Sequence, residues 1–208
     1  MLYHLLYGLR ETVPWLSGLN VLRYTSTRIL LSTLTALFLT LFLYPWFIRT
    51  LQRIQLGQVV REDGPESHLA KRGTPTMGGS LIIFAVVLST VMWADPSNTF
   101  TLLASLLTAG YAVIGFVDDF LKVKRKSSGG LSGKLKLAFQ FAIAIAVVMA
   151  LYASDAIPEP IRYRLALPFL DFYEYEFVLH PAIYTAFSVI VIVGASNAVN
   201  LTDGLDGL

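Results

Sequence analysis

The chain has 208 residues, of which 55% are hydrophobic and only 14% charged, with a formal net charge of +2 and a mean hydropathy of +0.62. That balance leaves too little polar surface to wrap a soluble core of this size, which excludes an ordinary water-soluble domain and predicts an all-α polytopic membrane protein. The absence of cysteine excludes disulfides and thiolate metal sites, and no nucleic-acid partner is expected.

Crossing about 30 Å of hydrocarbon takes about 20 apolar residues in a helix. Five runs approach that length, at about 29–48, 78–94, 100–117, 137–153 and 181–199, and predict five transmembrane helices in a single integral membrane domain. The first run is bracketed by Arg28 and Arg49 and is followed by no small-residue cleavage site, so it is expected to remain as a membrane helix. Pro45, near its end, is tolerable where neighbouring groups satisfy the freed carbonyl.

The connections set the orientation. Residues 49–77 carry Arg49, Arg53, Arg61, Lys71 and Arg72, and residues 118–136 carry Lys122, Lys124, Arg125, Lys126, Lys134 and Lys136. Both read as cytoplasmic loops by the positive-inside rule. Asp95–Thr99 has no Lys or Arg, and the connection before the fifth run has only Arg162 and Arg164 against five acids. These are expected outside, which places the N-terminus outside and residues 200–208 on the cytoplasmic side. The external stretch Ile161–Val178 alternates in Arg162-Tyr163-Arg164-Leu165 and in Tyr173-Glu174-Tyr175-Glu176, the pattern of a short external β-hairpin with Arg–Glu cross-strand pairs.

Three polar clusters then fall on the cytoplasmic side. The second of them carries the sharpest physical demand. Asp118 and Asp119 are adjacent carboxylates at the end of an apolar run, where repulsion and desolvation would neutralise one of them unless a cation holds both. A divalent metal is the simplest such cation, and Mg²⁺ bound to phosphates would make the pair a site for phosphoryl chemistry. On a helix, Lys122 shares their face, four residues after one and three after the other, so it can neutralise them or meet a phosphate.

The third cluster, Asn197-Ala-Val-Asn200-Leu-Thr-Asp203-Gly-Leu-Asp206-Gly207, spaces Asn200, Asp203 and Asp206 three apart, on one face if helical. It lacks the ligand alternation and distal Glu of an EF-hand. The first cluster, Gly64 to Gly79, joins His68, Lys71-Arg72 and Gly-Thr-Pro-Thr76-Met-Gly-Gly ahead of the second span. Amides and hydroxyls preceding a helix suit an anion, but without a Gly-Lys-Ser/Thr ending this is no nucleotide-binding P-loop.

The runs Ser-His-Leu-Ala-Lys71-Arg-Gly-Thr-Pro-Thr76-Met-Gly-Gly, Gly-Phe-Val-Asp118-Asp119-Phe-Leu-Lys122 and Asn-Ala-Val-Asn200-Leu-Thr-Asp203-Gly-Leu-Asp206-Gly, in that order, closely resemble the phospho-N-acetylmuramoyl-pentapeptide transferases. These belong to the polyprenyl-phosphate N-acetylhexosamine-1-phosphate transferase superfamily. The resemblance spans nearly the whole chain. It implies transfer of phospho-MurNAc-pentapeptide from UDP-MurNAc-pentapeptide to undecaprenyl phosphate, with Mg²⁺, giving lipid I and UMP at the cytoplasmic face of the bacterial inner membrane. By motif, Asp118 and Asp119 match the family's acidic pair, catalytic and metal-binding, and Lys122 matches the lysine that follows it. Lys71, Thr76, Asn200, Asp203 and Asp206 match positions assigned to metal, phosphate or uridine binding, and Lys134 is grouped with the substrate- and phosphate-binding residues. Family members have ten spans, with a further aspartate and a histidine-rich loop in the C-terminal half. This chain is therefore read as an N-terminal portion, expected to be inactive alone; a homodimer is compatible with it.

Rival functions differ in where they place polar groups. A cation-coupled transporter would put its acids at mid-span rather than at cytoplasmic ends, and a purely structural subunit does not account for three polar motifs on one side. A GlcNAc-1-phosphate transferase acting on the same lipid is the nearest competitor in chemistry, and the Thr-Pro-Thr-Met-Gly-Gly and Asn-Leu-Thr-Asp-Gly-Leu-Asp-Gly runs favour the muramoyl enzyme. Two mechanisms stay open, direct attack by the lipid phosphate and a covalent intermediate on an aspartate.

Overall fold

The computed structural model describes residues 2–12, 14–53, 77–125 and 130–206. Its helices are α1 (Leu2–Thr12), a 3-10 helix (Pro14–Arg23), α2 (Thr25–Arg53), α3 (Gly78–Trp93), α4 (Thr99–Arg125), α5 (Gly133–Ala153), a short 3-10 turn (Glu159–Ile161) and α6 (Pro181–Asp206). Four of them, α2, α4, α5 and α6, are long and apolar enough to cross a membrane, and α3 is a shorter apolar helix. The all-α polytopic reading therefore holds, with the qualification that α3, at 16 residues, reaches only about 24 Å at the α-helical rise.

The chain divides into two compact units, Met1–Ser132 and Gly133–Leu208. In the first, α2 packs on α3, α3 on α4, and α1 on the 3-10 helix that follows it. The buried positions of α3 are Leu81, Ala85 and Ser89, one every fourth residue, which makes a narrow stripe of mostly small side chains on which helices approach closely. Elsewhere the helices turn large apolar groups outward, as at Phe42, which is 80% exposed. In water that would be an aggregating surface; in hydrocarbon it is the expected one.

Hydroxyl groups along α2 are accommodated by donating back to the helix: Thr33 to Ile29 O (2.9 Å), Thr40 to Ala36 O (2.8 Å) and Thr50 to Trp46 O (2.9 Å). Such bonds satisfy a polar group without water. Pro45 lies inside α2, as its tolerance in a membrane helix allows. The α3–α4 turn is built by Asp95, whose Oδ1 accepts from Ser97 Oγ (2.7 Å) and Ser97 N–H (3.0 Å), and by Asn98, whose Oδ1 caps the Thr101 N–H at 3.0 Å. His4 of α1 reaches the same Asp95 oxygen at 3.3 Å. Neither α1 nor the 3-10 helix was anticipated, because both precede the first membrane-length run.

In the second unit, Ala144, Val148, Val189 and Val193 form the core between α5 and α6, flanked by Phe141, Tyr152 and Ile192. The expected hairpin shrinks to a single antiparallel bridge, Arg164 to Val178. Leu165 N–H donates to Phe177 O at 2.8 Å and Leu179 N–H to Tyr163 O at 3.0 Å, and the anticipated cross-strand pair is present as Arg164–Glu176 at 3.2 Å. No ladder extends from it among the described residues, since the intervening chain is committed elsewhere. Phe169 takes a positive φ of 68°, and Asp171 Oδ1 accepts the Tyr173 N–H (2.7 Å) and the Glu174 N–H (3.3 Å) in a tight turn.

Candidate active site at the end of the fourth helix

Helix α4 does not stop at the end of its apolar run but continues to Arg125, so Asp118, Asp119 and Lys122 are helical. Ile114 and Asp118 are its buried positions, four residues apart on one stripe. Register therefore separates the two acids: the Asp118 side chain is 12% exposed and that of Asp119 is 38% exposed. As adjacent carboxylates they repel each other, and burial adds to the cost for Asp118. The compensation is Lys122. Its Nζ stands 2.8 Å from Asp118 Oδ2 and 2.9 Å from Asp119 Oδ1, so one ammonium clamps both carboxylates. The second oxygen of Asp118 is held as well, since the Leu131 N–H, beyond the end of α4, donates to Oδ1 at 2.7 Å.

The cation required by the adjacent acids is thus supplied within the chain, in the first of the two roles open to Lys122. Among the described residues no three His, Cys, Asp or Glu side chains assemble into a metal cage. The donor set still fits Mg²⁺. That ion is commonly held by one or two carboxylates and completed by substrate phosphates and waters, and Asp119 offers a hard-oxygen carboxylate at the surface while Asp118 stands beside it.

The other candidate residues separate clearly. Asn200 is exposed near the C-terminal end of α6, whose helix runs through Asp206. Lys134 is exposed in the first turn of α5. Lys71 and Thr76 lie outside the described residues. One polar contact was not anticipated. Asn197 Nδ2 donates to Gln140 Oε1 at 2.9 Å and to Val193 O at 2.8 Å, joining α5 to α6 inside their apolar faces and just ahead of Asn200. Its sequence signal is a lone amide in each of two membrane-length runs.

Sequence comparison agrees with the motifs. The chain matches the glycosyl transferase family 4 model over residues 100–208, and signature 1 of phospho-N-acetylmuramoyl-pentapeptide-transferase over residues 71–83. Similar curated proteins are the phospho-N-acetylmuramoyl-pentapeptide-transferases of Sorangium cellulosum (54% identical over 212 residues), Syntrophus aciditrophicus (48% over 211) and Desulfotalea psychrophila (47% over 208). Each alignment covers all of this chain but only 55–56% of the relative. The chain thus spans about half the length of the curated relatives it matches. With a helical acidic pair inside the matched segment and the family model covering more than half of its residues, the chain belongs to glycosyl transferase family 4.

Proposed function

We propose that this chain carries part of the active site of an enzyme that transfers phospho-MurNAc-pentapeptide from UDP-MurNAc-pentapeptide to undecaprenyl phosphate, forming lipid I and UMP. The observation that carries the reading is the Asp118–Asp119–Lys122 cluster at the end of a membrane-length helix, in a chain whose relatives bear that transferase's name. The activity is assigned to a protein of the relatives' length, in the bacterial inner membrane, with the N-terminus outside and the cluster at the cytoplasmic face. The excess of Lys and Arg in residues 49–77 and 118–136 supports that orientation.

The chemistry asks more for electrostatics than for a base. A phosphate monoester has a second pKa of about 6, so the lipid phosphate is largely dianionic at neutral pH and already nucleophilic. Its oxygen bonds to the sugar-linked phosphorus of the donor while the bond from that phosphorus to the bridging oxygen breaks, and the electron pair leaves with UMP. The barrier is the approach of a dianion to a diphosphate, which positioned cations and alignment lower. Lys122 is placed to exchange a carboxylate contact for a phosphate one. Asp119, the more exposed acid, faces the incoming groups, and Asp118 is held from two sides. Mg²⁺, where it binds, supplies charge neutralisation to the phosphates, with Asp118 and Asp119 as its protein ligands. Lys71, Thr76, Lys134, Asn200, Asp203 and Asp206 are assigned to phosphate and uridine binding.

UMP release by the purified protein at the relatives' length tests the reading. Release with UDP-MurNAc-pentapeptide and undecaprenyl phosphate is expected, whereas release only with UDP-GlcNAc would move the protein to the neighbouring GlcNAc-1-phosphate activity. Exchange of labelled UMP into the donor in the absence of lipid phosphate would replace direct displacement by a covalent intermediate. Asp119→Asn is expected to lower kcat by about 100-fold or more, and wild-type turnover with unchanged Mg²⁺ dependence in that variant would remove the metal assignment.

A further inference from the structure

The main chain passes close to the acidic pair at Gly130. A Cβ added there would stand 2.8 Å from the Asp118 carbonyl oxygen and 2.9 Å from its Cγ, and nearer still to its Oδ1. Real Cβ atoms essentially never come closer than 3.0 Å. Neither obstacle yields cheaply, because the carbonyl belongs to α4 and the carboxylate is held by Lys122 and by the Leu131 N–H. Nor is the glycine explained by backbone freedom, since its φ lies outside the left-handed region. Gly133, three residues on, shows the contrast, for a Cβ there meets nothing within 4 Å.

What the missing Cβ permits is the passage of the chain directly over the acid, and that passage brings the Leu131 N–H to 2.7 Å from Asp118 Oδ1. A carboxylate on a helix surface samples several rotamers. Here one oxygen is assigned to the main chain and the other to Lys122, so a single orientation remains, and the ammonium that reaches Asp119 is placed by it.

We infer that Gly130 is a positioning residue: by letting the Gly130–Leu131 backbone close on Asp118, it sets the orientation of that carboxylate and, through Lys122, of the whole cluster. The catalytic part of this inference rests on the transferase reading; the steric part rests on geometry alone.

The test uses the protein at its relatives' length, with Gly130→Ala and the control Gly133→Ala in the wild-type background and Gly130→Ala again in an Asp118→Ala background. Gly130→Ala should lower Tm, and the loss should shrink by about half or more once the Asp118 carboxylate is gone. The Asp118 carbonyl obstructs the added Cβ in either background and leaves part of the loss in place, so Asp118→Ala alone completes the test: a lowered Tm there supports the tether and a wild-type Tm there overturns it. If Gly130→Ala fails to fold, recovery of folded protein in the double variant supports the tether, and with continued failure the Tm of Asp118→Ala alone decides. In UMP release, Gly130→Ala should reduce kcat by about tenfold or more while KM for the donor stays within about threefold, and Gly133→Ala should change neither by more than about twofold. A folded Gly130→Ala protein with wild-type kcat overturns the positioning role. A wild-type protein that releases no UMP removes the transferase reading instead, while the Tm comparison still judges the tether.

Discussion

Replacing Lys122 by methionine keeps the length and apolar stem of the side chain and removes the charge that joins the two acids. Its two arms are unequal. The Asp118 arm is 2.8 Å long and ends on a side chain that is 12% exposed; the Asp119 arm is 2.9 Å long and ends on one that is 38% exposed. A charge-assisted bond to a shielded group contributes about 1.5–3 kcal/mol, whereas an exposed ion pair contributes about 0.2–1 kcal/mol. Because Lys122 itself is 37% exposed, the shielded arm belongs at the low end, about 1.5 kcal/mol, and the exposed arm at about 0.5 kcal/mol. Lys122→Met should therefore destabilise by about 2 kcal/mol, three quarters of it through Asp118. Reversible unfolding in a bilayer mimic, in double-mutant cycles with Asp118→Asn and Asp119→Asn, separates the arms. The coupling of Lys122 to Asp118 should be about three times its coupling to Asp119. Equal couplings, or a larger one to Asp119, would refute the claim that helix register buries one acid and exposes the other.

Two further outcomes follow from contacts outside the acidic cluster. Asn197→Leu removes the donor to Gln140 and Val193 and should cost about 0.6 kcal/mol, the usual scale for a hydrogen bond between helices in a membrane; a stability gain would show that the amide contact is not a net support of the α5–α6 pair. At the α3–α4 turn, hydrogen bonds from the Ser97 hydroxyl and then the Ser97 N–H outweigh partial burial and, with a smaller contribution from His4, hold the Asp95 carboxyl below the usual range, whose reference value is 3.8. A depressed folded pKa gives stability that is present above the unfolded value and lost as pH falls through the folded one. Amide protection at Ser97 should thus persist at neutral pH and fall only below about pH 3.8, and Asp95→Asn should weaken it at neutral pH and remove that fall. Titration of Asp95 at or above the ordinary carboxylate value, read by NMR, would contradict this.

The acidic pair shows how far sequence reasoning reaches. Its two aspartates, the lysine three and four residues on, and their place at the end of an apolar run are local facts, and the helical period turns them into a shared face without any tertiary information. The identity of the cation was less legible. Adjacent carboxylates demand a positive charge, but a metal and an ammonium satisfy the demand equally, and only coordinates show Lys122 on both acids. The hairpin was half legible: alternation found the Arg164–Glu176 pair, while the turn around Asp171 that confines it to one bridge depends on backbone conformation.

By itself, the sequence determined the membrane class, the positions of the apolar helices and the residues that share a helical face, since composition and a period of about 3.6 residues act within each segment. Tertiary structure decided which acid is buried, that the Leu131 N–H closes on Asp118 from 13 residues away, and that Asn197 meets Gln140 across 57. These are meetings of groups distant along the chain. They depend on how helices rotate and how a connection returns, and no local pattern encodes either.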